Sequence, residues 1–134
     1  MAIRISIVAA DYHAKIAGEM ISAARKAAEK SGMEVVSVVK VCGCMEAPLA
    51  LKHELARLDV DGAVVLGAVV QGETAHDELV AYAAAEKILA LSLEYDKPVG
   101  YGITGPRMTM AQAEARAEDF AVRSVEAVRR VLDG

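Results

Sequence analysis

Hydrophobic positions along this chain alternate between short dense runs and long spaced ones. Ile3–Ala9, Ala63–Leu66 and Val99–Ile103 are mostly apolar and β-prone, the pattern of strands covered on both faces, with Gly67 at the carboxyl end of the second of these. Glu34–Val41 is rich in valine and reads as a further strand. Between them the spacing stretches to a helical period. Ile16, Met20, Ala23, Ala24 and Ala27 predict a helix over Ala14–Lys30, stopped by Ser31-Gly32. Pro48 suits the first turn of a second helix reaching Leu58. Further helices are predicted over Thr74–Glu94 and Thr109–Leu132.

Strict alternation of strand and helix predicts one α/β domain over residues 1–134: a four-stranded parallel sheet with helices on both faces, three layers in all. Ligands of such sheets bind at the carboxyl ends of the strands, beside a switch in strand order. Four loops qualify, those after Ala9, Val41, Gly67 and Ile103. The helix Thr74–Glu94 is apolar around more than one face, through Ala81, Ala83, Ala84, Ala85, Ile88, Leu89, Leu91 and Leu93. In a short chain that predicts burial against a neighbouring subunit.

Composition sharpens this. Hydrophobic residues make up 54% of the chain and aromatics only 4%, so the apolar mass is aliphatic and large enough to serve an interface as well as a core. The net charge of -4, with no basic stripe, argues against a nucleic-acid partner. No apolar run is long enough for a membrane span or a signal peptide. Cys42 and Cys44 are too close to favour a disulfide, which suggests a reducing compartment and a cytoplasmic protein. They also lack the further ligands of a zinc site and the spacing of a redox pair, so small packing residues are the favoured reading.

Candidate chemistry concentrates in Gly67–Glu78. Gly72 lets backbone approach a ligand, Thr74 is placed to cap a helix, and the N–H groups of Glu73 and Thr74 could face an anion. His76 follows in the first turn, as a group able to accept a proton and return it. An ordinary capped helix with Asp77 and Glu78 as dipole-matching acids is an equal reading of the same residues. Elsewhere, Glu46 is either a helix-start acid or an acceptor for a polyol, and Tyr12 either stacks on a flat ring or plugs the core. Arg116 suits phosphate but shares its helix with Arg123, Arg129 and Arg130, as in a solvated face. Asp11 after the first strand has no acidic partner, and the third strand ends in Gly67, which disfavours a phosphoacceptor switch domain.

The run Leu66–Val80 (Leu-Gly-Ala-Val-Val-Gln-Gly-Glu-Thr-Ala-His-Asp-Glu-Leu-Val) resembles the lumazine synthase family. So do Asp96-Lys97-Pro98-Val99, Gly102-Ile103-Thr104-Gly105-Pro106 with Met108-Thr109, and Gln112-Ala113 before Arg116, which are similar to its archaeal branch. The resemblance covers nearly the whole chain. It implies a flavodoxin-like fold and pentamers, sometimes assembled into shells. It also implies condensation of 5-amino-6-(D-ribitylamino)uracil with 3,4-dihydroxy-2-butanone 4-phosphate, with no metal or organic cofactor.

By that resemblance His76 matches the acid/base histidine, and Gly72, Glu73 and Thr74 match the phosphate turn. Arg116 matches a phosphate-binding arginine and Tyr101 a second cleft aromatic, each usually supplied by the adjacent subunit. Tyr12 matches the residue stacking on the pyrimidine, and Val69 and Val70 the backbone reading its edge. Glu46 matches the carboxylate on the ribityl chain, with Cys44 and Met45 beside it. The chain departs from the family at Cys42-Gly43-Cys44-Met45-Glu46, where Pro-Gly-Ala-Phe-Glu is usual. Val122, next to Arg123, stands where many members have a lysine, and His13 where asparagine is common. An archaeal-type riboflavin synthase and a nonenzymatic flavin-binding or assembly protein on the same fold are the competing readings.

Overall fold

The structure is a computed structural model describing residues 2–134. Four strands alternate with four helices: β1 (Arg4–Ala10), α1 (Ala14–Lys30), β2 (Glu34–Val41), α2 (Ala47–Leu55), β3 (Gly62–Ala68), α3 (His76–Tyr95), β4 (Val99–Thr104) and α4 (Met110–Asp133). All strand pairs are parallel, in the order β2-β1-β3-β4. The expected three-layer α/β/α arrangement is present.

Side chains alternate across the sheet, so each central strand serves two cores. Ile5, Ile7, Ala9, Val64 and Leu66 pack against Ile16, Met20 and Ala24 of α1 and Ala113, Ala117, Ala121 and Val125 of α4. Val8, Ala10, Ala63, Val65 and Ile103 pack on the other face against Leu51 and Leu55 of α2 and Ala81, Ala84 and Ile88 of α3. The alanine stripe of α4 lets that helix lie very close to the sheet. A Cβ on Gly100 would overlap the Ser124 backbone carbonyl, which is why β4 carries glycine there.

Two helix boundaries differ from the sequence reading. The second helix stops at Leu55 instead of Leu58. Lys97 Nζ donates to the carbonyls of Leu55 (2.7 Å) and Arg57 (2.9 Å), which draws the chain out of the helix, and Leu58 is fully exposed. The third helix begins at His76, with Ala75 as N-cap and no side-chain cap, so Thr74 does not cap it. Thr74 Oγ1 accepts only a long 3.4 Å bond from the His76 N–H. Its first turn closes instead on the Ala75 carbonyl, which accepts from Glu78 and Leu79. The last helix does begin as expected: Thr109 and Gln112 form a reciprocal capping box.

The chain runs from β1 to β2 on one side and returns to β3 on the other, so strand order reverses between β1 and β3. The connections leaving these two strands, after Ala10 and Ala68, lead to α1 on one face of the sheet and α3 on the other, the place where such sheets bind ligands.

Candidate active site

A cavity of about 590 Å³ opens at that point. Its size is that of a small-molecule site. Ala10 and Ala68 form its base, and three loops wall it: Tyr12 and His13 after β1, Cys42–Glu46 after β2, and Val69, Val70, His76, Asp77 and Val80 after β3. Residues up to 70 positions apart are brought together by the switch in strand order alone. Among the described residues no cluster of three or more His, Cys, Asp and Glu is placed to hold a metal.

Each wall has a local cause. Gly67 lies under the Cys42–Glu46 loop, where a Cβ would come within 3.0 Å of Cys44 Sγ and 3.1 Å of Ala10 Cβ. Cys44 is therefore a packing residue, buried against the sheet end. Burial, and secondarily the Glu46 carboxylate, push its thiol up to about 11. Cys42 does not fit the packing expectation: it is exposed and lines the cavity. Glu46 folds back on its own loop, accepting from the Gly43 N–H at 2.9 Å through Oε1. One carboxylate oxygen thus fixes the loop, while the other is free of that bond. Met45 and Tyr12 stand at the rim, both exposed, and the Tyr12 ring meets the edge of His13 at 5.0 Å. Val69 is buried, with its N–H donating to the Thr104 carbonyl at 2.8 Å.

Of the residues singled out in the sequence, Tyr12, Cys44, Met45, Glu46, Val69, Val70 and His76 line this one cavity. Gly72, Glu73 and Thr74 form an exposed turn just before His76, outside the lining. A Cβ on Gly72 would meet no atom of this chain, so the fold itself does not demand glycine there. Tyr101 and Arg116 lie elsewhere. Tyr101 is on β4, lines a groove with Phe120 and Arg123, and directs its hydroxyl to the Ala81 carbonyl at 3.5 Å. Burial, and to a lesser extent the neighbouring Cys44, push that phenol up to about 12. Arg116 is exposed on α4 and bonds the Gln112 carbonyl of its own helix.

Asp77 is the wall residue whose importance the sequence hid. It reads as one more first-turn acid, yet it is buried in the cavity wall, and its Oδ2 accepts from the Arg107 N–H at 2.9 Å. The link depends on a backbone group thirty residues away, which no local pattern announces.

Residues 2–133 match the family model described as 6,7-dimethyl-8-ribityllumazine synthase. The chain is 46% identical to the 6,7-dimethyl-8-ribityllumazine synthase of Staphylothermus marinus, over 97% of this chain and 87% of that one. It is 44% identical to the protein of the same name from Saccharolobus solfataricus, over 97% and 84%. Against the Picrophilus torridus protein, also so named, it is 42% identical over 97% and 95%. With the match running nearly end to end, the chain belongs to the 6,7-dimethyl-8-ribityllumazine synthase family.

Proposed function

We propose that this protein forms 6,7-dimethyl-8-ribityllumazine in riboflavin biosynthesis, from 5-amino-6-(D-ribitylamino)uracil and 3,4-dihydroxy-2-butanone 4-phosphate, releasing phosphate and water. The observation that carries the reading is the convergence of Tyr12, Glu46, Val69, Val70 and His76 on one cavity in a chain of this family. Tyr12 at the rim suits stacking on the pyrimidine, and the backbone of Val69 and Val70 suits its polar edge. Glu46, beside Cys44 and Met45, offers a carboxylate oxygen to the ribityl hydroxyls. The turn Gly72-Glu73-Thr74, leading into α3, is the phosphate-binding segment of the reading.

In this mechanism the 5-amino group attacks the ketone and water leaves to give an imine. Phosphate is then eliminated, which turns the neighbouring hydroxyl-bearing carbon into a carbonyl by way of its enol, and the ribityl-bearing nitrogen closes the second ring on that carbonyl with loss of a second water. Each stage moves protons about one short carbon skeleton, the role of His76. Holding the two substrates together supplies much of the acceleration.

Arg116 and Tyr101 fit this reading from a neighbouring subunit of a homopentamer, alone or in a larger assembly. Support comes from their positions outside the chain's own cavity, and from the unpaired apolar face of α3 at Leu79, Tyr82, Leu89 and Leu93.

Incubating the protein with both substrates and following lumazine fluorescence tests the proposal. Product should appear only with both present. Flavin formed from lumazine alone, with no lumazine synthesis, would instead identify a riboflavin synthase. Tight flavin binding with neither reaction would identify a nonenzymatic binder.

A further inference from the structure

The segment between Val69 and Glu78 is fastened at both ends to one loop, residues 104–108. Upstream, the Val69 N–H donates to the Thr104 carbonyl and the Gln71 N–H to the Met108 carbonyl, each at 2.8 Å. A Cβ on Gly105 would overlap the Val69 carbonyl, so the two loops are in direct contact. Downstream, the buried Asp77 carboxylate accepts from the Arg107 N–H at 2.9 Å, and Arg107 Nε donates to Glu78 Oε1 at 2.6 Å. Arg107 presents that N–H from a left-handed backbone, φ 62°. A non-glycine residue keeps such a conformation where its surroundings hold it, and such residues gather at functional sites.

Between the two fastenings Gln71–His76 is exposed throughout. No side-chain cap fixes the start of α3. Its first turn is located instead by Asp77, the residue next to His76 and the buried acid of the cavity wall.

We propose that Asp77 is a positioning residue for His76. Its carboxylate, bound to the left-handed Arg107 N–H, holds the first turn of α3 against the β4–α4 loop and so sets where the imidazole stands in the cavity. The inference rests on the reading of His76 as the proton-transfer group.

Steady-state kinetics of the full-length, assembled protein test it through a double-mutant cycle. Asp77→Ala should lower kcat by about 10- to 100-fold, the scale of an ångström-level misplacement, while KM for either substrate changes by less than about threefold. Asp77→Asn retains an oxygen acceptor for the Arg107 N–H and should recover most of kcat. In a His76→Ala background, Asp77→Ala should cost less than about twofold more, because coupled residues do not add. An equal loss in both backgrounds overturns the proposal, as does a loss confined to KM. A wild-type rate for His76→Ala overturns the underlying reading of His76 itself. Should Asp77→Ala fail to fold, Asp77→Glu keeps the charge but displaces the turn by a methylene, and the same cycle applies.

Discussion

At the scale of single residues, environment separates groups that look equivalent in the sequence. Cys42 and Cys44 are two positions apart and both line the cavity, yet Cys42 is exposed while Cys44 is buried over Gly67 at the sheet end. A thiolate is the reactive species, so with its thiol near 11 Cys44 holds on the order of one thiolate in a few thousand at about pH 7.5. Iodoacetamide on the native protein should label Cys42 and leave Cys44 untouched, with both labelled after denaturation; peptide mass spectrometry reads the sites. Native labelling of Cys44 at a comparable rate would contradict its burial. Half of the cavity lining was legible at this scale, since Tyr12, Cys44, Met45, Glu46, Val69, Val70 and His76 lie on or just beyond the loops that follow the strand ends. Asp77 was not, because its role is defined by its partner and not by its neighbours in sequence.

At the scale of elements, the alternation of dense apolar runs with helically spaced ones, helped by Pro48 at the start of α2, located every strand and helix. What it missed were ends fixed from a distance. The end of α2 depends on Lys97 and the start of α3 on contacts with the 104–108 loop, whereas α4 starts at a wholly local capping box, and its start at Thr109 was legible. The tightest joint between elements is β4 against α4. Gly100→Ala should force α4 away from the sheet and destabilise the fold by about 1–3 kcal/mol, as overpacking does, lowering the urea midpoint with little change in slope. An unchanged midpoint would mean that the helix moves aside freely.

At the scale of the whole molecule, the long helix α3 carries large apolar side chains that the fold of the chain leaves uncovered. Leu79, Leu89 and Leu93 are each more than 60% exposed on one face of this helix, and a contiguous apolar face is what marks an interaction surface. The sequence already signalled this through an apolar pattern that exceeds one face. If Arg116 completes the site of a neighbour, then His76→Ala and Arg116→Ala subunits, each strongly impaired in its own oligomer, should gain activity above either parent when unfolded, mixed and refolded together. Some mixed sites would then contain an intact His76 from one subunit and an intact Arg116 from another. No recovery in verified mixed oligomers would place Arg116 in the site of its own chain or outside the reaction.

The two edges of the sheet differ in what ties them. At the amino edge, the Arg4 N–H is bound by Asp61, the Asp61 N–H by the Arg4 carbonyl, and Lys97 holds two carbonyls at the end of α2. None of these groups lines the cavity. Substrate preference and foldedness can therefore drift separately. Exposed side chains of the carboxyl-edge loops, Tyr12, Cys42 and Met45 among them, can change while the amino-edge ties, the buried Cys44 and the Asp77–Arg107 bond keep the scaffold intact, which makes this chain a practical frame for directed evolution of the pocket.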